Sequence, residues 1–396
     1  MAVAYNPKIV TNGLVLYLDA ANIKSYGGIN YVSYSNYNSI TWTNYFPTNA
    51  TLTTGIVAPD GTATAVRITC TSGGNSLLRV AFPSFTPNGT SNWTVSFYVK
   101  KVSGSIGVTN FDLADATPSA DYTSSLITGE WVRVQSSAVS TAVAKSFVDL
   151  LSDGARDYVL DFWGLQIEPA FSASQLTTTT GSVAITNVNL WRDLTSNGLT
   201  GTFSNSPLYD GSNQGNLSFN GTNASVNLPN SSLLQFLNRN PYSFEVWVYP
   251  RTDTSASYPG FINRESNPGS GRDGYNIYYT KLGQTVGTNL VATERFGTGT
   301  QNSVGTTLTD AVFFNNWQCY CTTYNGTTLS FYRNGSLIGS IESTVNVTNT
   351  VQVVTIGQRG GIYSDSKIAT TKFYNTALTA SEVSQNFNAL RSRYGI

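Results

Sequence analysis

The stretch Gly13-Leu-Val-Leu-Tyr-Leu-Asp-Ala-Ala-Asn22 begins a strand that the residues after it do not complete. Leu14, Leu16 and Leu18 alternate with Val15, Tyr17 and Asp19, the period-2 pattern of a strand buried on one face. A tryptophan and an Asp-Leu-Thr-x-x-Gly turn, able to continue it, appear at Leu190-Trp-Arg-Asp-Leu-Thr-Ser-Asn-Gly198. A block with strands of its own lies between. The pattern predicts an all-β chain in which one β-sandwich interrupts another: residues 1–28 and 181–396 form the first, residues 29–180 the insert. At 396 residues the chain exceeds the length at which a single core stops growing.

Within the insert, Val66, Ile68 and Cys70 alternate with polar neighbours, as do Trp93, Val95, Phe97 and Val99. Trp131 to Val134 and Tyr158 to Ile167 add two more strands, the second interrupted by Gly164, which marks a bulge. In the outer part, strands are expected near Leu217–Phe219, Ser225–Leu228, Ser243–Tyr249, Asn276–Tyr279, Trp317–Tyr324, Thr328–Arg333, Val351–Ile356 and Ile368–Tyr374. Asn325-Gly326 and Asn334-Gly335 flank one of them and predict a three-stranded meander with type I′ turns. One helix is expected, at the C-terminus. Thr379 and Glu382 form a capping box, and Val383, Phe387, Leu390 and Tyr394 make one apolar stripe. Arg391 and Arg393 in its last turn suit the helix dipole.

Composition narrows the chemistry. Lys and Arg number 22 against 22 Asp and Glu, so no charge field draws the chain to nucleic acid or an anionic membrane. No run of about 18 apolar residues would span a bilayer. The N-terminus lacks the basic and apolar regions of a signal peptide, so synthesis in the cytoplasm without secretion is expected. Histidine is absent, which removes Ser-His-Asp and Cys-His catalysis and helical His-based zinc sites. Cys70, Cys319 and Cys321 are expected as free buried thiols.

The outer blocks carry a resemblance. Gly13 to Asn22, Leu190 to Gly198, Leu217-Ser-Phe-Asn-Gly221, Tyr242 to Tyr249, Asn316 to Gly335 and Lys372 to Leu378 resemble successive parts of the laminin-G-like, concanavalin A-like jelly roll. The ending Thr379 to Gly395 is similar to the tail of this module in virion proteins of tailed bacteriophages. The insert resembles carbohydrate-binding-module-like jelly rolls attached to phage tail and capsid proteins, through Ala58 to Ala65, Thr94 to Lys100, Glu130 to Arg133 and Phe162 to Glu168. The resemblance implies a multicopy or homo-oligomeric component of a virion surface, partnered by other virion proteins and touching host polysaccharide. No cofactor is expected. Laminin-G-like calcium sites use facing acidic residues, whereas Phe219-Asn-Gly-Thr-Asn-Ala-Ser225 carries asparagines.

Two groups of residues are candidates for ligand contact. Glu245, Trp247 and Tyr249 share a strand face, as a sugar-stacking surface with one carboxylate or as an amphipathic packing face. A glycosidase of this architecture would need a second acid nearby, and Phe244-Glu-Val-Trp-Val-Tyr-Pro250 has none. Tyr31, Tyr34, Tyr37, Trp42 and Tyr45 cluster in a polar stretch, as a glycan platform or as an interface. The mixed-charge stretch Arg264 to Gly274 is expected as a glycine-rich loop, and it lacks the Lys-Ser/Thr of a phosphate cradle. Asp153, Asp157 and Asp310 are expected as solvated or capping loop acids.

Overall fold

The computed structural model describes residues 8–22, 24–26, 41–42, 50–71, 76–85, 92–106, 110–113, 120–139, 145–153, 157–169, 173, 190–205, 207–251, 258–266, 272–281, 288–297 and 300–396. The chain divides into two compact units. One comprises residues 1–26, 189–207 and 212–396, the other residues 27–188 and 208–211.

In the first unit the strands are β1 (Leu14–Asp19), β2 (Leu190–Trp191), β3 (Gly201–Ser204), β4 (Asn216–Asn220), β5 (Ser225–Asn227), β6 (Tyr242–Pro250), β7 (Gly260–Ser266), β8 (Asp273–Lys281) and β9 (Thr288–Gly297). They continue as β10 (Thr300–Thr309), β11 (Gln318–Tyr324), β12 (Thr328–Arg333), β13 (Ser336–Glu342), β14 (Thr355–Ile356) and β15 (Asp365–Tyr374). A single-turn helix α1 (Asp310–Phe313) follows β10, and α2 (Ala380–Tyr394) follows β15. One sheet runs β4-β15-β6-β11-β12-β13, and the other β2-β3-β5-β14-β7-β8-β9-β10. β1 joins the first sheet beside β15, with Leu16 opposite Phe373 and Asp19 opposite Thr370. The same edge of β15 is taken further along by β4, with Leu217 opposite Ile368.

The sheets meet through aromatic side chains. Phe244 of β6 lies 5.0 Å from Tyr275 of β8, and Phe261 of β7 stacks on Tyr320 of β11 at 6.2 Å. Two arginines also point into this core and are almost completely buried. Arg264 donates to the Asn349 carbonyl at 2.6 Å, and Arg295 lies over the Tyr324 ring at 4.1 Å while donating to the Val345 carbonyl. Carbonyl oxygens and π faces take the place of a carboxylate partner at these contacts.

The meander is β11-β12-β13, as the Asn-Gly pairs predict, but its two turns differ. Asn334 (φ 50°) and Gly335 (φ 77°) both take the left-handed conformation that a type I′ turn demands. At the other turn only Gly326 has positive φ, and the Asn325 side chain instead accepts from the Thr327 and Thr328 amides. The strand expected over Val351–Ile356 is confined to β14, and Val351 is exposed. β7, β9 and β10 break the usual alternation: β7 and β10 carry Asn263, Glu265, Gln301 and Ser303 outward, and β9 carries Asn289, Thr293 and Arg295 inward.

Among its described residues the second unit has two five-stranded sheets. One runs in space as Ala50–Ile56, Ala65–Cys70, Tyr158–Pro169, Asn92–Gly104, Trp131–Val139. Val66, Ile68, Val95, Phe97, Val99, Leu160 and Phe162 form its buried face. Gly164 has φ 70° where the register slips between Trp163 and Gln166, the bulge expected there. The other sheet is formed by Thr41–Trp42, Ser76–Phe85, Lys145–Asp153, Asn110–Leu113 and Ala120–Asp121. All three cysteines are buried and free.

Helix α2 begins at the expected capping box and ends at Gly395 with φ 71°. Phe387 stacks on Trp247 at 5.6 Å with an interplanar angle of 3°, and Tyr394 stacks on it at 4.2 Å. Phe387→Ala should lower stability by about 3 kcal/mol, the cost of a truncated buried aromatic. Urea unfolding followed by tryptophan fluorescence measures it, and an unchanged midpoint would mean the helix is not docked as described.

Burial pushes the hydroxyls of Tyr17, Tyr275, Tyr320 and Tyr374 well above the ordinary tyrosine range. The unfolded chain loses those protons near pH 10 while the folded protein retains them. Stability is therefore full below about pH 10 and falls as the pH rises beyond it. In an alkaline titration, tyrosinate absorbance from these residues should appear together with unfolding; a smooth titration of the folded protein would contradict their burial.

Candidate functional site

The face of β6 expected as a sugar platform is covered. Glu245 is 1% exposed and accepts from the Lys372 ammonium directly opposite it on β15. Trp247 is fully buried under α2, and Tyr249 is half-buried against Trp317, with Lys367 over its ring. Burial pushes the neighbouring Cys319 and Cys321 thiols up, in keeping with a closed apolar environment. The burial has a simple cause: α2 needs somewhere to bury its stripe, and this aromatic face is where it docks. Of the second expected group, Tyr31, Tyr34, Tyr37 and Tyr45 lie outside the described residues. Trp42 lies on a two-residue strand opposite Val80.

The structure instead forms a pocket on the outward face of the β7-β8-β9-β10 sheet. Its volume is about 480 Å3, lined by Tyr258, Arg272, Tyr278, Glu294, Gln301, Arg359 and Ile362. Strand alternation explains the placement. Asn263 faces Asn276, Asn276 faces Glu294, and Glu294 faces Ser303, so these residues point away from the core together. A short hairpin, Gln358–Arg359 paired with Ile362–Tyr363, contributes the last two lining residues. The stretch expected as a loop from Arg264 to Gly274 instead supplies strand residues at both ends. Gly274 (φ 138°) is required there, since a Cβ would lie 1.7 Å from the Arg264 carbonyl oxygen.

The pocket floor is a closed ring of four charges. Arg272 donates to Glu265 and, at 3.1 Å, to Glu294. Arg359 reaches Glu265 at 3.0 Å and Glu294 at 3.5 Å. The Asn276 amide donates to both carboxylates at 3.3 and 3.0 Å, and Gln301 donates to the remaining Glu294 oxygen at 2.9 Å. Arg272 also lies 3.6 Å from the Phe296 ring. Burial, reinforced by Glu294, pushes the Tyr278 hydroxyl up, so it stays a neutral donor. At the rim the Tyr258 ring is 47% exposed, held at φ 47° against Tyr278.

Two positive and two negative charges cancel, and each carboxylate oxygen is fixed by a neighbour, while the buried Asn276 side-chain oxygen has no hydrogen-bond partner among the described residues. Such a floor presents oriented donors and acceptors without an ordering cost, beneath an open aromatic ring. That combination suits a neutral, hydroxyl-rich ligand. All four carboxylate oxygens already accept hydrogen bonds, an arrangement poorly matched to a general acid that must carry a proton on one of them. Among the described residues no group of three or more His, Cys, Asp or Glu is placed to hold a metal ion. At the loop compared with laminin-type calcium sites, the Asn220 side-chain oxygen accepts from the Thr222, Asn223 and Ala224 amides. Asp310 opens α1 and accepts from Asn289, whereas Asp157 is exposed.

Residues 220–384 match the model of the concanavalin A-like lectin/glucanases superfamily, and the two-sheet core described above is its jelly-roll fold. No curated protein matches the chain. Among solved structures, it is similar to the binding domain of Paraclostridial Mosquitocidal Protein 1, with 18% identity, a TM-score of 0.42, and coverage of 51% of this chain and 52% of that one. The botulinum neurotoxin serotype G binding domain is similar at 15% identity and a TM-score of 0.39, with 50% and 47% covered. Domain 4 of AbnA, a GH43 extracellular arabinanase from Geobacillus stearothermophilus solved with arabinotriose, is similar at 17% identity and a TM-score of 0.38, with 50% and 97% covered. The chain thus spans about half the length of the first two.

Glu265→Ala should cost about 3 kcal/mol, because the buried Arg359 and the partly buried Arg272 lose a shared partner. Gln301→Ala at the rim should cost under about 1 kcal/mol. Urea midpoints of the two variants test the ring, and equal midpoints would show that it contributes nothing to the fold.

Proposed function

We propose that this protein is a non-enzymatic structural and adhesion component on the surface of a tailed bacteriophage particle, as a capsid decoration or a tail or fibre part, that binds neutral saccharides of the host surface. The observation that carries the saccharide reading is the prebuilt pocket of Tyr258, Tyr278, Arg272, Arg359, Glu294 and Gln301. An exposed tyrosine ring offers a flat apolar face to the C–H side of a pyranose, and the planar amide, carboxylate and guanidinium groups suit paired hydroxyls. The particle reading rests on the resemblance of Thr379 to Gly395 to the ends of phage virion modules, and the nested division into residues 1–28 with 181–396 and 29–180 belongs to it. In that setting many weak contacts add up through copy number.

Purified protein should bind immobilised neutral polysaccharide from the host envelope and leave it uncut. Tyr258→Ala should weaken that binding at least about tenfold, the loss of one aromatic contact of roughly 1.4 kcal/mol. Binding unaffected by Tyr258→Ala, or none at all, would defeat the saccharide reading. Released reducing ends would make the protein a depolymerase. A density map of the assembled particle tests the virion reading separately.

A further inference from the structure

Strand β10 ends its sheet, and its outer edge has no strand partner among the described residues. It pairs with β9 over ten residues without a register slip, from Thr300 opposite Gly297 to Thr309 opposite Thr288. Thr300-Gln-Asn-Ser-Val-Gly-Thr-Thr-Leu-Thr309 contains no charge and no proline. Natural edges are usually blunted by a lysine, a proline or a bulge, and this one has none of them. The edge of the other sheet, β13, lies beside it: a Cβ on Gly339 would meet the Val304 side chain at 3.3 Å. β13 is bulged where it pairs with Phe331 and Tyr332, so it is a poor template for another strand. It does expose Leu337 (55%) and Ile341 (38%) next to the open edge.

We propose that this side of the first unit is a two-fold interface with a second copy of the chain, formed by antiparallel pairing of β10 with its counterpart across Val304. A lone extended peptide could complete the β10 ladder, but it would leave Leu337 and Ile341 on the adjoining sheet uncovered. A second copy presents both features at once. A strand edge and an apolar strip repeat at the sheet spacing of about 10 Å, and each meets its own counterpart. The uncharged strand meets itself without like-charge repulsion, which would otherwise oppose an isologous contact. With the axis perpendicular to the sheets, the association closes at two copies and turns both pockets to the same side.

Light scattering on the full chain over a range of concentrations measures the mass. Twice the mass of one chain is expected, reverting to one chain in the double variant Leu337→Lys with Ile341→Lys. Both residues are exposed, so the fold should persist, and far-ultraviolet circular dichroism checks it. Val351→Lys, at a 75%-exposed position outside the interface, should leave the mass doubled. Hydrogen exchange of the amides from 300 to 309 should slow with concentration in the wild type but not in the double variant. A single-chain mass at every concentration, an open series of larger masses, or a dimer whose 300–309 amides exchange freely would each overturn the proposal.

Discussion

The ladder between Leu14–Asp19 and Thr370–Tyr374 is the contact on which the first unit depends. It brings together segments separated by about 350 positions, a closure whose entropic cost grows only logarithmically with loop length. That slow growth is why a whole second unit fits within the gap. The junction is reinforced around its rim. The Val10 amide donates to Asn386, Arg393 reaches Asp19 at 2.8 Å, and the Leu194 amide donates to the Tyr17 carbonyl. Arg393 thus does more than complement a helix dipole: it links α2 to β1 and, through the Asn213 and Gly215 carbonyls, to the turn before β4.

Local chemistry was legible in the sequence wherever one segment determined its own shape. Alternation at Leu14, Leu16 and Leu18, the Asn334-Gly335 turn, the bulge at Gly164 and the Thr379–Glu382 capping box all follow from neighbouring residues. What could not be read was which surfaces meet. The aromatic face of β6 and the apolar stripe of α2 were each visible, yet nothing in either says that one covers the other. Read apart, Glu245 and Trp247 resemble a ligand surface; together with Phe387 and Tyr394 they are an interior.

The pocket was hidden for a related reason. Its residues come from segments between positions 258 and 362, and each alone looks like a solvated charge or an ordinary strand polar residue. Arg264 in β7 and Arg272 just before β8 sit in the same stretch, but one enters the core and the other the charge ring. Only the register of four strands decides that. The available signal was polar residues, Asn276, Tyr278, Glu294 and Gln301, at strand positions that the register places on one face.

The terminal ladder also has a consequence for biosynthesis. As the chain emerges from the ribosome, the main sheet of the inserted unit has all its strands once residue 169 is made. β1 must wait until β15 appears, some 200 residues later, roughly 10–40 seconds at ordinary translation rates. Through that interval the leucine-faced strand is held only by the turn at residues 193–197 and lacks the ladder that buries its leucines.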